Sequence, residues 1–135
     1  MSEQSMRQHV IKMLRPLDAV SVENPAYPGT PDVNFVEGWV ELKWAKRWPE
    51  RDDTPLKLEH FTQQQRVWLV RRGAAGGNVW LLLCAGGDWL LFHWSVAAQH
   101  VGKANREELL HLASYVWERG INAEGLISAL TRKGN

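Results

Sequence analysis

Two apolar runs dominate what this chain can become: NVWLLLCA at residues 78–85 and DWLLFHWS at residues 88–95, with a turn at Gly86-Gly87-Asp88 between them. Both carry apolar side chains at successive positions, so neither face of either strand can be left to water. They read as central strands of a sheet with helices over both faces. They are also too short to cross a bilayer.

The rest of the chain supplies the covering layers. Residues 3–14 can form a helix with Val10, Ile11, Met13 and Leu14 on its apolar side, stopped by Pro16. Residues 17–24 alternate and predict a strand, followed by a loop punctuated by Pro25, Pro28 and Gly29. DVNFV and WVELKWA read as a hairpin. Thr62 can cap a helix running to about Arg72, and glycines at 73, 76 and 77 end it. Asn105 with Glu108 opens a further helix expected to reach Gly120, its apolar side formed by Leu109, Leu112, Ala113 and Val116. Asn122 can cap a last helix, AEGLISALTRK. The expected fold class is therefore α/β, a mixed central sheet of about five strands flanked by helices. One domain spans residues 1–135, with a core at about 5–95 and C-terminal helices at 104–132.

The hairpin carries the chemistry. With Glu37-Gly38 as a two-residue turn, Asn34 faces Glu41 and Asp32 faces Lys43. Opposed residues share a face, so Asp32, Asn34, Glu41 and Lys43 fall on one side and Val33, Phe35, Val40 and Leu42 on the other. A slip by one residue would part Asp32 from Glu41, and the hydrophobic set opposes that slip. Two carboxylates on one face repel, and a hard divalent cation taking oxygen ligands from both relieves the repulsion. Lys43 cannot ligate a metal; its expected role is to stabilise negative charge and hold a water. The alternative is structural: an Asp32–Lys43 ion pair with Glu41 solvated on an outer face.

Composition limits the function classes. The net charge of +1 gives no global basic field, and the single Cys84 excludes an internal disulfide. Cys84 lies in an apolar run and reads as a buried, inert thiol. The polar N-terminus has no signal-peptide core, which predicts an intracellular, cytoplasmic protein without membrane contact. Trp44, Lys46, Arg47 and Trp48 interleave rings and cations just past the hairpin, a pattern suited to phosphates and unpaired bases; Trp44 itself is expected in the core. Arg66 is a further candidate phosphate contact. Gln65, one turn from Phe61 and Trp68, falls on an inward stripe where a buried amide needs partners. His93, inside an apolar strand, reads as a satisfied core or edge histidine.

Pro31-Asp32 followed by Glu41-Leu42-Lys43 resembles the PD-(D/E)XK nuclease superfamily, and the strand order with a helix after the Glu-x-Lys strand agrees. The likeness is closest to small VRR-NUC and Holliday-junction-resolvase-like members, many of them phage-encoded. It is carried further by ENPAYPGTPD, FTQQQRVWL and AAGGNVWLL, and covers roughly residues 5 to 95. It implies a restriction-endonuclease-like fold and metal-dependent hydrolysis of DNA phosphodiesters. Asp32, Glu41 and the Leu42 carbonyl would ligate Mg²⁺ or Mn²⁺, Lys43 would sit by the attacking water, and Gln65 would touch the water or the scissile phosphate. Branched or flapped DNA is the substrate suggested by this likeness. A symmetric junction would require two sites, hence a homodimer. For a phage-encoded member the compartment is the host-cell cytoplasm. One departure concerns the first helix, where relatives usually carry an acid. Here it offers only Glu3, then Gln4 and Gln8, so Glu23 is a substitute metal-ligand candidate. The rival readings are a non-catalytic DNA-binding or accessory protein keeping the fold, and an interaction protein whose hairpin charges are structural.

Overall fold

The computed structural model describes residues 1–131. In chain order its elements are α1 (Glu3–Met13), β1 (Val20–Ser21), β2 (Val33–Phe35), β3 (Gly38–Ala45), α2 (Gln63–Ala74), β4 (Asn78–Ala85), β5 (Asp88–His93), α3 (Trp94–His100), α4 (Arg106–Leu112), β6 (Tyr115–Trp117) and α5 (Ala123–Leu130). The strands form one sheet in sequence order. Only β3 and β4 pair in parallel, with α2 as their crossover, and every other pairing is antiparallel.

Both faces of the sheet are covered, as the apolar runs demand. Trp80, Leu82 and Cys84 of β4 join Met6, Val10 and Met13 of α1 and Leu126 and Leu130 of α5 in one core. The intervening Val79, Leu81, Leu83 and Ala85 join Trp68 and Leu69 of α2, Ala97 of α3 and Leu109 of α4 in the other. The period of two along β4 thus divides its side chains between two helical layers. Cys84 is free and buried, and its burial pushes the thiol up to about 11.

The sheet has six strands rather than about five, and the differences have local causes. The expected strand at 17–24 shrinks to Val20–Ser21, because a 3-10 turn at Arg15–Leu17 and a left-handed Asp18 precede it. The strand read to residue 95 ends at His93, whose imidazole accepts the Ser95 backbone N–H and starts α3. His93 is half-buried, and burial lowers its pKa. The helix expected from Asn105 to Gly120 keeps its capping box but stops at Leu112. There the chain turns extended, and Tyr115, Val116 and Trp117 pair with β5. Val116 consequently leaves the predicted helical stripe and is exposed. α5 starts at its Asn122 cap as expected, and the Arg132 and Lys133 assigned to its end lie outside the described residues.

The hairpin register also differs. Phe35 pairs with Gly38 and Val33 with Val40, so the turn is Val36-Glu37 and not Glu37-Gly38. Gly38 is a strand residue, and no positive φ is recorded for it. Its lack of a side chain serves close approach instead, since a Cβ there would collide with the Asn78 carbonyl of β4. Asparagine tolerates left-handed turn positions, so Gly38→Asn separates the two arrangements. The structure predicts a loss of about 1–3 kcal/mol from overpacking, read by urea unfolding. Near-neutral behaviour would favour the turn assignment.

Candidate metal and catalytic site

The two-residue slide leaves every face assignment intact because the side-chain period is two. Val33, Phe35, Val40 and Leu42 lie in the α1-side core, while Glu41 and Lys43 are buried on the α2 side of the sheet. What changes is the partner. Continuing the observed register beyond Val33↔Val40 sets Asp32 level with Glu41 rather than with Lys43. The two carboxylates are directly opposed instead of diagonal.

Three elements build the surroundings. β3 delivers Glu41, Leu42 and Lys43. The loop before β2 delivers Asp32, and Gly29 seats that loop on the first turn of α2. At Gly29, φ is +93°, and a Cβ would stand 2.5 Å from the Gln64 carbonyl oxygen and 2.9 Å from the Gln65 nitrogen. Any side chain there would push the Asp32 loop off the helix. α2 delivers Gln65 through its cap. The Thr62 hydroxyl accepts the Gln65 N–H at 3.2 Å, and the Gln65 side-chain oxygen accepts the Thr62 N–H at 2.9 Å.

Lys43 is fully engaged. Its ammonium stands 2.9 Å from Glu41 Oε2, donates to Gln65 Oε1 at 3.0 Å, and donates to the His60 carbonyl at 3.2 Å. Two of its protons meet the oxygens of Gln65 and His60, and Glu41 faces the charge. Its Nζ also lies 5.3 Å from the Phe61 ring centroid. Gln65 Oε1 therefore serves both the helix cap and Lys43, which ties the start of α2 to the site.

Glu41 has the opposite character. Its residue is 1% exposed, and its Oε2 stands 2.9 Å from the Lys43 ammonium, while no hydrogen-bond donor is seated on Oε1. Burial first, and then the charge of Asp32, push its pKa up to about 8, against the opposing pull of Lys43. Asp32 is better provided. The Leu42 N–H donates to its Oδ2 at 2.9 Å, and Arg7 of α1 approaches its Oδ1 at 3.0 Å. Within a strand the N–H and C=O of one residue point to the same side. The Leu42 carbonyl accordingly faces the same edge of β3 as Asp32.

These atoms fit a hard divalent cation. Glu41 brings two buried oxygens, Oε1 without a donor and Oε2 beside Lys43, Asp32 lies opposite, and the Leu42 carbonyl faces the same edge; water and a phosphate would fill the remaining positions. Among the described residues no group of three or more His, Cys, Asp or Glu side chains gathers as a metal cluster. The donor set here is two carboxylates plus backbone. The structural alternative of an Asp32–Lys43 pair with a solvated Glu41 does not match the geometry: Asp32 pairs with Arg7, and Glu41 is buried beside Lys43.

The other candidate residues divide. Glu23 lies past the end of β1, is exposed, and is not among the charges acting on Glu41. Glu3, in the first turn of α1, lines a cleft of about 230 Å³ together with Lys43, Lys46 and Lys57. Lys46 and Arg47 are exposed, as a phosphate contact requires. Trp48 is not free to stack on a base. Its indole N–H donates to Asp88 at 2.9 Å, and Arg106 sits 5.3 Å over its ring. Arg66 is likewise occupied, donating to the Ala98 carbonyl at 2.9 Å and lying 4.1 Å over the Phe61 ring. Burial lowers its pKa. It braces α2 against α3 with one of its donors. Trp44 is half-buried against the α1-side core, as expected.

Sequence reasoning missed Arg7. The helical spacing that buries Met6 and Val10 leaves Arg7 at the flank of the buried stripe, and nothing in that spacing sets it beside Asp32. No protein-family model matches the chain, and a search of curated proteins finds no match. No helix among the described residues is long and apolar enough to cross a membrane.

Proposed function

We propose that this protein is a metal-dependent DNA endonuclease of the PD-(D/E)XK type, acting on branched or flapped DNA with Mg²⁺ or Mn²⁺. The observation that carries the reading is the buried Glu41 carboxyl opposed to Asp32, with Lys43 at 2.9 Å. An acid kept in such a position costs stability unless something binds it. A protein that needed only to pack would hold an apolar residue there, as its neighbour Leu81 in β4 does.

A bound divalent ion supplies a water of lowered pKa and neutralises charge building on the phosphate. The chain's own groups do the rest. Asp32 and Glu41 fix the ion's place at the edge of β3. Lys43, aimed by the Gln65 oxygen and the His60 carbonyl, presents positive charge where the pentavalent phosphorus gains negative charge, and its preset orientation spares reorganisation at that moment. Lys46, Arg47 and Lys57 hold the backbone electrostatically, without base contacts.

Gln65 acts through Lys43. Gln65→Ala is expected to lower kcat about 10–100-fold, on the scale of lost supporting hydrogen bonds at metal sites, with DNA affinity little changed. It should also cost about 1 kcal/mol of stability through the broken cap. Steady-state kinetics and urea unfolding on one preparation check both.

The direct test is a panel of linear, flapped, four-way and single-stranded DNA incubated with Mg²⁺, Mn²⁺ or EDTA. Cleavage with either metal, abolished by EDTA and strongest on branched or flapped DNA, supports the reading. Tight DNA binding with no cleavage under any metal would favour the non-catalytic accessory protein.

A further inference from the structure

Two carboxylates face each other at this site, and the chain treats them differently. Both oxygens of Asp32 accept hydrogen bonds, while Glu41 has only the Lys43 ammonium beside its Oε2. The donor on Oδ1 is Arg7, whose Nη2 lies 3.0 Å away and whose Nη1 reaches the Ser21 hydroxyl at 3.5 Å. Arg7 comes from α1, the helix that covers the opposite face of the sheet. Its neighbour Met6 is fully buried and fixes the helix in place, while the long Arg7 side chain spans the remaining distance. The ion pair is partly open, with side-chain exposures of 32% for Arg7 and 21% for Asp32. A contact this accessible is worth little in stability, so it can be exchanged at small cost.

We propose that Arg7 is a resident cation on Asp32 that a divalent metal displaces, and that the released guanidinium then takes a phosphate of the DNA strand. The inference rests on the nuclease reading above. A guanidinium 3.0 Å from one ligand oxygen and a dication on the same carboxylate repel each other across a short distance, so each weakens the other's hold. The planar fork suits phosphate oxygens as well as it suits a carboxylate. Charge pairing is kept on Asp32: Arg7 balances it before metal entry and the ion balances it afterwards, when Arg7 balances phosphate. It also makes metal and DNA cooperative, because each provides the other's reason for Arg7 to leave Asp32. Metal binding to the DNA-free protein is held weak, and binding to the complex is strengthened.

Calorimetric titration of the full chain with Mn²⁺, without DNA, tests the first half. Arg7→Gln removes the charge and keeps a side chain of similar reach; its Mn²⁺ Kd is expected to fall about fivefold, the most that vacating a partly exposed pair can contribute. Arg7→Lys retains the charge and should stay closer to wild type, which guards against an effect of mere loosening. Equal Mn²⁺ affinity in wild type and Arg7→Gln would overturn the competition while leaving the nuclease reading standing. No Mn²⁺ binding by either protein would remove the metal site itself. The second half is read by anisotropy of a labelled flapped duplex in Ca²⁺, which takes the same oxygen ligands. Arg7→Gln should bind it about tenfold more weakly, with a salt slope shallower by about one phosphate contact. Unchanged DNA affinity and slope would overturn the transfer to phosphate.

Discussion

Asp32→Asn is expected to reduce metal-dependent DNA cleavage by about 10²–10³-fold or more while leaving the fold intact. Removing a single preset charge or donor from a transition-state site has effects of this size, and here the lost group is also a proposed metal ligand. The substitution is nearly isosteric. An amide oxygen can still accept the Leu42 N–H that Asp32 Oδ2 now accepts at 2.9 Å, so the loop should keep its place. Loss of the partly exposed Arg7 ion pair costs little in stability. Cleavage should therefore vanish while far-UV circular dichroism and Tm change little and DNA is still bound. Loss of folding would instead assign Asp32 a structural role, and retained cleavage would move the chemistry elsewhere.

Glu41→Gln should separate function from stability. In the metal-free fold Glu41 keeps its proton to about pH 8, whereas a carboxyl in the unfolded chain loses it near 4.5. Between those values the native state binds one proton more than the unfolded state, so rising pH destabilises the fold by about 1.4 kcal/mol per unit, an upper slope for this group. Above the folded value both states are ionised and the loss is complete. Glutamine imitates the protonated acid at every pH. The variant should match wild type in Tm near pH 4, gain on it steadily up to about pH 8, and hold a constant lead above that. Saturating Mn²⁺ should reverse the order, raising the Tm of wild type by mass action and leaving the variant unmoved. A parallel pH dependence in the two proteins would mean that Glu41 is ionised in the free fold.

Much of this arrangement was legible in the sequence because period and polarity are strong signals. The alternation of Val33, Phe35, Val40 and Leu42 against Asp32, Glu41 and Lys43 sorted the hairpin faces, and a register error of two residues could not undo it. The register itself was lost on Gly38, where a glycine needed for close approach to Asn78 looks like a glycine needed for a turn. That distinction lies in the neighbouring strand and not in the local sequence. The short strand Tyr115–Trp117 was absorbed into a helix because Leu109, Leu112, Ala113 and Val116 fit helical spacing; pairing with β5 outweighed that local preference. Gln65 was found through its place on an inward stripe, though its partner is Lys43. The contacts of Trp48 with Asp88 and of Arg66 with the Ala98 carbonyl could not be read locally, because the partners are distant in sequence.

The same contrast explains Arg7. A ligand set is recognised by acids, and a cation on the facing helix carries no expected spacing. Its meaning emerges only when Asp32 and α1 are seen side by side. On the proposed function the site makes a common trade: a buried acid and a buried ammonium cost stability and keep charges where a reaction would use them.

The central claim is that Asp32 and Glu41 share one divalent ion, and a crystal soaked in Mn²⁺ tests it most directly through the metal's anomalous signal. The account predicts a single strong peak between these two carboxylates, within ligand distance of the Leu42 carbonyl oxygen, with Arg7 turned away from Asp32. A peak elsewhere, or an empty edge with Arg7 still seated on Asp32 at saturating Mn²⁺, would contradict it.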